Sequence, residues 1–260
     1  MKSLVLHTHT GLGDHIITNG MVHSFTEDYD KVYVPHIRMF SESINALYEG
    51  FDKVEPFPLP DIDINLNGRH LIQKIVDNTN SAYIGVGDPL LCYPPRIVWN
   101  SRGELETRNI ATNFDRQFYE LAGMHFSIRY TYAKIPESTE KSLEIYKQLT
   151  NEEDFILVHD NSSISSQLPL ALDQVSKHKN LKVVKIQMGV TNNVFDFVDL
   201  IKRAKEIHAV GSFFQCIVDS MVSKTSADLF FHNIMIKHDA QINCEWNERR
   251  WNQIEYRNKY

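Results

Sequence analysis

Apolar runs alternate with amphipathic stretches along this chain, and the alternation occurs twice. Residues 3–8 (SLVLHT) read as a buried strand. Residues 15–25 follow, with Ile16, Ile17, Met21, Val22 and Phe25 near the spacing of one helix face. Residues 31–34 (KVYV) predict a second strand, and 39–50 a helix closed by Gly50. Prolines at 56, 58 and 60 make 53–64 an expected irregular stretch. A strand is expected at 81–87, a loop at 87–96 and a helix at 109–123, ending at Gly123. The polar segment 131–142 breaks the pattern and reads as a linker running into a helix start. Beyond it the pattern resumes. It gives a helix at 138–149, strands at 155–160, 181–186, 206–210 and 228–232, and helices at 168–177, 194–204 and 213–223. The charged stretch 244–258 (CEWNERRWNQIEYRN) is expected to be a helix.

Strand and helix in alternation imply parallel sheets covered by helices. The fold class is therefore α/β, with two Rossmann-like domains at residues 1–133 and 134–260. The C-terminal helix would be available to pack back on the first domain. The chain has 260 residues, 42% of them hydrophobic and 23% charged, so a sizeable core is available. A net charge of −6 without a Lys/Arg-rich block argues against a nucleic-acid partner. Cys92, Cys216 and Cys244 are few and far apart, which fits a reducing compartment and neither a disulfide framework nor a metal knuckle. No run approaches a membrane span or a signal peptide, so a cytoplasmic location is expected, with peripheral membrane contact left open.

The chemistry-bearing stretch is HTHTGLGDHIITNG, residues 7–20, at the carboxyl end of the first expected strand. Open parallel sheets bind ligands at that end. Gly11 and Gly13 would let the backbone turn sharply and approach a ligand, and the helix start behind them suits an anion. The dinucleotide fingerprint is incomplete, because Ile16 stands where the third glycine belongs. His7 and His9 share a strand face and could both reach one metal, as in metal phosphoesterases. That family's carboxylate ligands are mostly missing: Val5 stands two before His7, and Pro35 precedes His36.

Residues 7–25, with Leu12-Gly13-Asp14 followed by an apolar helix and then Asn19-Gly20, resemble the first strand–loop–helix of GT-B-fold glycosyltransferases, especially the heptosyltransferase-like group. Residues 191–221 resemble the donor-site segment of the same fold, where a small-residue turn opens a helix. Here that turn reads Gly211-Ser212-Phe213, with Cys216 where the family carries a histidine. Residues 114–130 are similar to the segment that ends the first domain. The resemblance implies a compact GT-B-like enzyme that transfers a sugar from a nucleotide-sugar to a glycan or lipid-linked acceptor. It implies no cofactor and no metal. Asp14 falls at the base position, and His15 competes for the role. Donor-binding candidates are Gly11, Gly13, His159, Asn161, Ser162, Ser163, Gln187, Gly211, Ser212 and Phe213. The alternatives are a phosphoesterase built on His7 and His9, or an inactive nucleotide- or sugar-binding module.

Other features read as structural. Asp61-Ile62-Asp63 has the form of the GT-A metal motif but sits among prolines, where paired aspartates are usually turn residues. Trp246, Trp251 and Tyr256 are expected to pack the C-terminal helix onto the body. Arg96, Arg102, Arg108 and Arg116 read as surface ion-pair formers rather than an anionic acceptor site.

Overall fold

A computed structural model describes residues 1–8, 11–60, 69–86, 96–99, 105–108, 114–161, 168–187, 189–234 and 251–256. These fall into two compact units, with a break between Ala133 and Lys134. Residues 45–47 and the C-terminal segment are grouped with the second unit.

The first unit opens with β1 (Ser3–His7), α1 (Leu12–Asp28), β2 (Lys31–Ile37), a 3-10 turn (Arg38–Phe40) and α2 (Ser41–Leu47). It continues with β3 (Val54–Leu59), α3 (Arg69–Thr79) and β4 (Ala82–Gly85). Its sheet is parallel in the order β3-β2-β1-β4. A two-stranded antiparallel pair, β5 (Arg96–Trp99) and β6 (Leu105–Arg108), follows, then α4 (Phe114–Leu121) and α5 (Ile128–Thr131). Val5 packs with Leu59, Ile72 and Ile75 on one face of the sheet. Leu4 and Leu6 alternate to the other face and are fully buried. Helix α1 is buried nearly all round, from Leu12 to Phe25, and packs on β2, α4 and α5. Gly20 makes that approach possible: a Cβ there would lie 2.4 Å from the Ile128 carbonyl oxygen.

Residues 53–64 were expected to be irregular, yet Val54–Leu59 is a strand. The reason is position: β3 is a sheet edge, where proline is tolerated. Pro56 and Pro58 are two residues apart, so the N–H each lacks would point to the same side.

The second unit runs α6 (Glu140–Thr150), β7 (Phe155–His159), α7 (Leu172–Val175), β8 (Lys182–Lys185), a 3-10 turn (Val194–Phe197) and α8 (Val198–Arg203). It continues with β9 (Glu206–Ala209), α9 (Phe213–Ser220), a second 3-10 turn (Val222–Lys224), β10 (Asp228–Asn233) and β11 (Asn252–Glu255). Its sheet is also parallel, in the order β11-β10-β9-β7-β8. Thr139 caps α6 reciprocally with Ser142, and the buried Asp199 carboxylate accepts the Ser142 hydroxyl 2.5 Å away.

The expected C-terminal helix is corrected at its described end: residues 252–255 form β11, parallel to β10. The edge of β10 offers a ladder of unpaired backbone groups, and pairing them overrides helix propensity. Trp251 is buried against Phe231 and donates its indole N–H to Asp219. The strand thus extends the second unit's own sheet; the rest of the expected helix, with Trp246, lies outside the described residues. Among the described residues, no helix is long and apolar enough to cross a membrane.

Candidate active site

In each unit the strand order reverses at one place, and the crevice beyond the strand ends there is where doubly wound sheets bind ligands. In the first unit, β1 leads to β2 and β3 on one side, and β4 then joins on the other. In the second, β7 leads to β8, and β9 then joins across β7. Candidate residues gather at both points.

At the first, His7 ends β1 and its Nδ1 lies 3.0 Å from the Tyr83 hydroxyl of β4. Gly85 leaves the space: a Cβ there would sit 2.4 Å from that hydroxyl. Thr8 Oγ1 meets His15 Nδ1 at 3.2 Å, joining the strand end to α1. The His15 ring meets His36 edge-on, 6.4 Å between centroids. His36 Nδ1–H donates to the Val34 carbonyl, so its Nε2 accepts from the Ser41 hydroxyl. Burial pushes the His36 pKa down, partly offset by the Val34 bond.

Helix α1 begins at Leu12, three residues earlier than the sequence pattern suggests, with Gly11 as its N-cap. Gly11 has φ −77 and ψ 147, which any residue can adopt. The expected sharp turn is therefore not its reason. Its N–H donates to the Asp14 carboxylate at 3.1 Å, and a Cβ at 11 would sit 2.7 Å from that same oxygen. Glycine is needed for room. Gly13 lies inside the first turn of α1. Asp14 is half-buried, whereas His15 is 1% exposed and turned to Thr8.

At the second, His159 ends β7, and the Val210 amide donates to its carbonyl. His159 Nδ1 lies 3.1 Å from Ser212 Oγ, spanning the reversal. Its ring stacks on Phe214 at 5.0 Å and meets Phe213 at a steep angle. Burial pushes its pKa down to about 4, with Asp160 pulling the other way, so the ring is neutral near pH 7. Asp160 is itself buried and paired with Lys185 Nζ at 2.8 Å.

Ser212 is the N-cap of α9, but its hydroxyl makes no bond to the helix. It lies within reach of His159 and of the Val210 carbonyl, 3.2 Å away. A cap side chain normally satisfies an amide of the first turn. Here the Ser212 side chain leaves that task to another acceptor, beside a positive helix end.

Gly211, Ser212, Phe213 and His159 are thus brought together. Asn161 follows β7 and is half-buried. Gln187 is exposed beyond β8, on the other side of β7 from β9. Gly11, Gly13, Asp14 and His15 belong to the first unit. His9, Asp61, Asp63, Ser162, Ser163 and Arg102 lie outside the described residues. Arg116 lies over the Phe126 ring at 5.1 Å.

Sequence reasoning missed Tyr83 and a set of buried polar side chains in the second unit: Glu206, His208 and His232. The signal was present. Glu206 and His208 are two apart in a strand and so share a face. Among the described residues, His178, Glu206 and Asp228 have ligand atoms within 4.8 Å of one another. Those carboxylates already have partners: Glu206 accepts from the Lys177 and His178 amides and from His208, and Asp228 pairs with Lys177.

No family model matches the chain, and no curated protein sequence matches it. Solved structures do. The E. coli ADP-heptose lps heptosyltransferase II superposes with a TM-score of 0.51 at 13% identity, covering 89% of this chain and 84% of that one. The glycosyl transferase family 9 structure from Veillonella parvula gives 0.51 at 10% identity, covering 92% and 83%. What such low identities share is architecture, and the chain accordingly carries a GT-B-like fold of two Rossmann-like α/β units, similar to that of the heptosyltransferase-type glycosyltransferases.

Proposed function

We propose that the chain is a glycosyltransferase that moves a sugar from a nucleotide-sugar to a hydroxyl acceptor. The observation that carries the reading is the Gly211-Ser212-Phe213 turn at the strand-order reversal, with its cap hydroxyl drawn toward His159. The leaving diphosphate gains negative charge as the glycosidic bond breaks. Amides of the first turn of α9, aimed at a fixed point, stabilise that charge without reorganising. Phe213 and the neutral His159 wall the position and keep its dielectric low. Asn161 borders the same strand end. The second unit is thus the nucleotide-sugar unit.

The first unit receives the acceptor, a glycan or lipid-linked hydroxyl. Asp14 takes its proton as the new bond forms. His15 is buried on Thr8 and holds the β1–α1 junction instead of acting as the base. No metal takes part in the transfer, and the enzyme works in the cytoplasm.

The test is a thermal-shift screen against UDP, GDP, ADP, CMP and divalent metals. One structural neighbour bears ADP-heptose in its name, which puts ADP first. A nucleoside diphosphate at 100 times its dissociation constant should stabilise by about 2.7 kcal/mol. Ser212→Glu, which places a carboxylate at the turn, should abolish that shift. Stabilisation by a metal ion alone would instead favour the phosphoesterase.

A further inference from the structure

Beneath the second unit's sheet edge runs an unbroken chain of hydrogen bonds, buried at Glu206, His208 and His232 and half-buried at Tyr256. Glu206 Oε2 is 3.1 Å from His208 Nε2, and His208 Nδ1 is 2.9 Å from His232 Nε2. His232 Nδ1 is 2.7 Å from the Tyr256 hydroxyl. The chain therefore crosses from β9 through β10 to Tyr256, just past β11. Glu206, His208 and His232 are each at most 1% exposed.

Both ends of this chain hold one peptide segment. The Ala171 N–H, at the N-cap of α7, donates to the Tyr256 oxygen at 2.8 Å. The Lys177 and His178 amides, just past the end of α7, donate to Glu206 Oε1 at 2.6 and 3.1 Å. Residues 171–178 are clamped at front and back. The same segment ends the connection that leaves β7 at His159-Asp160, where the Leu168 amide donates to the Asp160 carbonyl at 2.9 Å.

The proton order follows from the donors. Glu206 accepts two amides on one oxygen, and with its pKa held low its other oxygen accepts from His208 Nε2–H. His208 Nδ1 then accepts from His232 Nε2–H, and His232 Nδ1 accepts from the Tyr256 hydroxyl. With both rings neutral, as their burial favours, every lone pair in the series meets a hydrogen. Burial alone would raise the Glu206 pKa, but hydrogen bonds from Ser176, His208 and the Lys177 amide outweigh it and hold it low. Burial pushes His208 down, and burial followed by the neighbouring His208 pushes His232 down to about 3.

We propose that Tyr256, His232 and His208 are positioning residues for the donor site: through Ala171 and Glu206 they fix the segment 168–178, whose Leu168 amide holds the Asp160 carbonyl next to His159. The inference rests on the donor-site reading above. It gives the C-terminal strand a functional task, since without Tyr256 the Ala171 amide loses its acceptor.

Three measurements on the full-length protein test it. In ¹⁵N NMR, both His208 and His232 should be Nε2–H tautomers at neutral pH; an Nδ1–H form of either overturns the proton order. Tyr256→Phe keeps the ring and removes the hydroxyl. It should speed amide exchange at 168–178 at least tenfold and weaken the best nucleoside diphosphate by about tenfold, the loss of a half-buried hydrogen bond and its order. His232→Gln retains one acceptor and one donor and should bind nearly as wild type, whereas His232→Leu should behave as Tyr256→Phe. Unchanged exchange and unchanged affinity in Tyr256→Phe and His232→Leu would overturn the positioning role. If no nucleoside diphosphate binds the wild type, the glycosyltransferase reading fails, while exchange and tautomers still judge the clamp.

Discussion

Asp14 offers one carboxylate to two tasks, one seen in the structure and one proposed. It accepts the Gly11 amide at the start of α1, and we assign it the acceptor's proton. An asparagine in its place would keep the shape and the amide bond but could not take a proton. Asp14→Asn should therefore lower kcat by roughly 10²–10⁴-fold. Nucleotide affinity should stay near wild type, because the nucleotide is assigned to the second unit. Stability should change little: the favourable charge at the helix N-terminus contributes only about 0.3–1 kcal/mol. Steady-state kinetics beside titrated nucleotide binding separates the two roles. A variant that turns over normally would leave Asp14 as a cap alone. At this scale the sequence marked Gly11 and Asp14 as candidates, but not why Gly11 is glycine. Its backbone is ordinary; the constraint is an Asp14 oxygen where a Cβ would stand. That is a distance across a turn, which no residue pattern encodes. His15 shows the same limit, since its helix position was readable and its burial against Thr8 was not.

Helix α1 shows how one small residue sets the packing of an element. It passes α5 so closely that a methyl at 20 would meet two backbone carbonyls, at 2.4 and 3.0 Å. Backbone oxygens cannot swing aside as a side chain can. Gly20→Ala should destabilise the protein by about 1–3 kcal/mol, the usual cost of overpacking, despite alanine's better helix propensity. Urea unfolding would show this as a lower midpoint at unchanged slope. A higher midpoint would mean that the two elements have room to part. Elements with strong period were legible: the strands at β1, β2, β7, β9 and β10 follow directly from their apolar runs. Two were not. The prolines of β3 argued against a strand until the sheet order made it an edge. The charged sequence around β11 argued for a helix until β10 offered it a partner. In both cases a neighbour distant in sequence outweighed local preference.

At the scale of the whole molecule, the proposed chemistry needs charge stabilisation from fixed amides rather than from an ion. Turnover should therefore survive excess EDTA at the untreated rate. The carboxylates of the His178, Glu206 and Asp228 group are already engaged by amides, His208 and Lys177, and the group lies at the opposite end of β9 from Ser212. Activity lost to EDTA and restored by Mn²⁺ would move the protein to a metal-dependent class. The alternation of apolar runs and amphipathic helices was enough to determine an α/β chain with parallel sheets, because burial periodicity is a local property that each segment carries by itself. The glycines and polar residues after the strands marked where chemistry could sit. Only the tertiary structure decided which of them meet. Strand order is set by crossovers that pair segments far apart in the chain. By those crossovers β4 lies beside β1 and β9 beside β7. The first brings Tyr83 to His7, and the second brings Ser212 to His159. The chain from Glu206 to Tyr256 arises in the same way: it runs from β9 through β10 to the residue after β11, and its last hydrogen bond exists only once β11 has paired with β10.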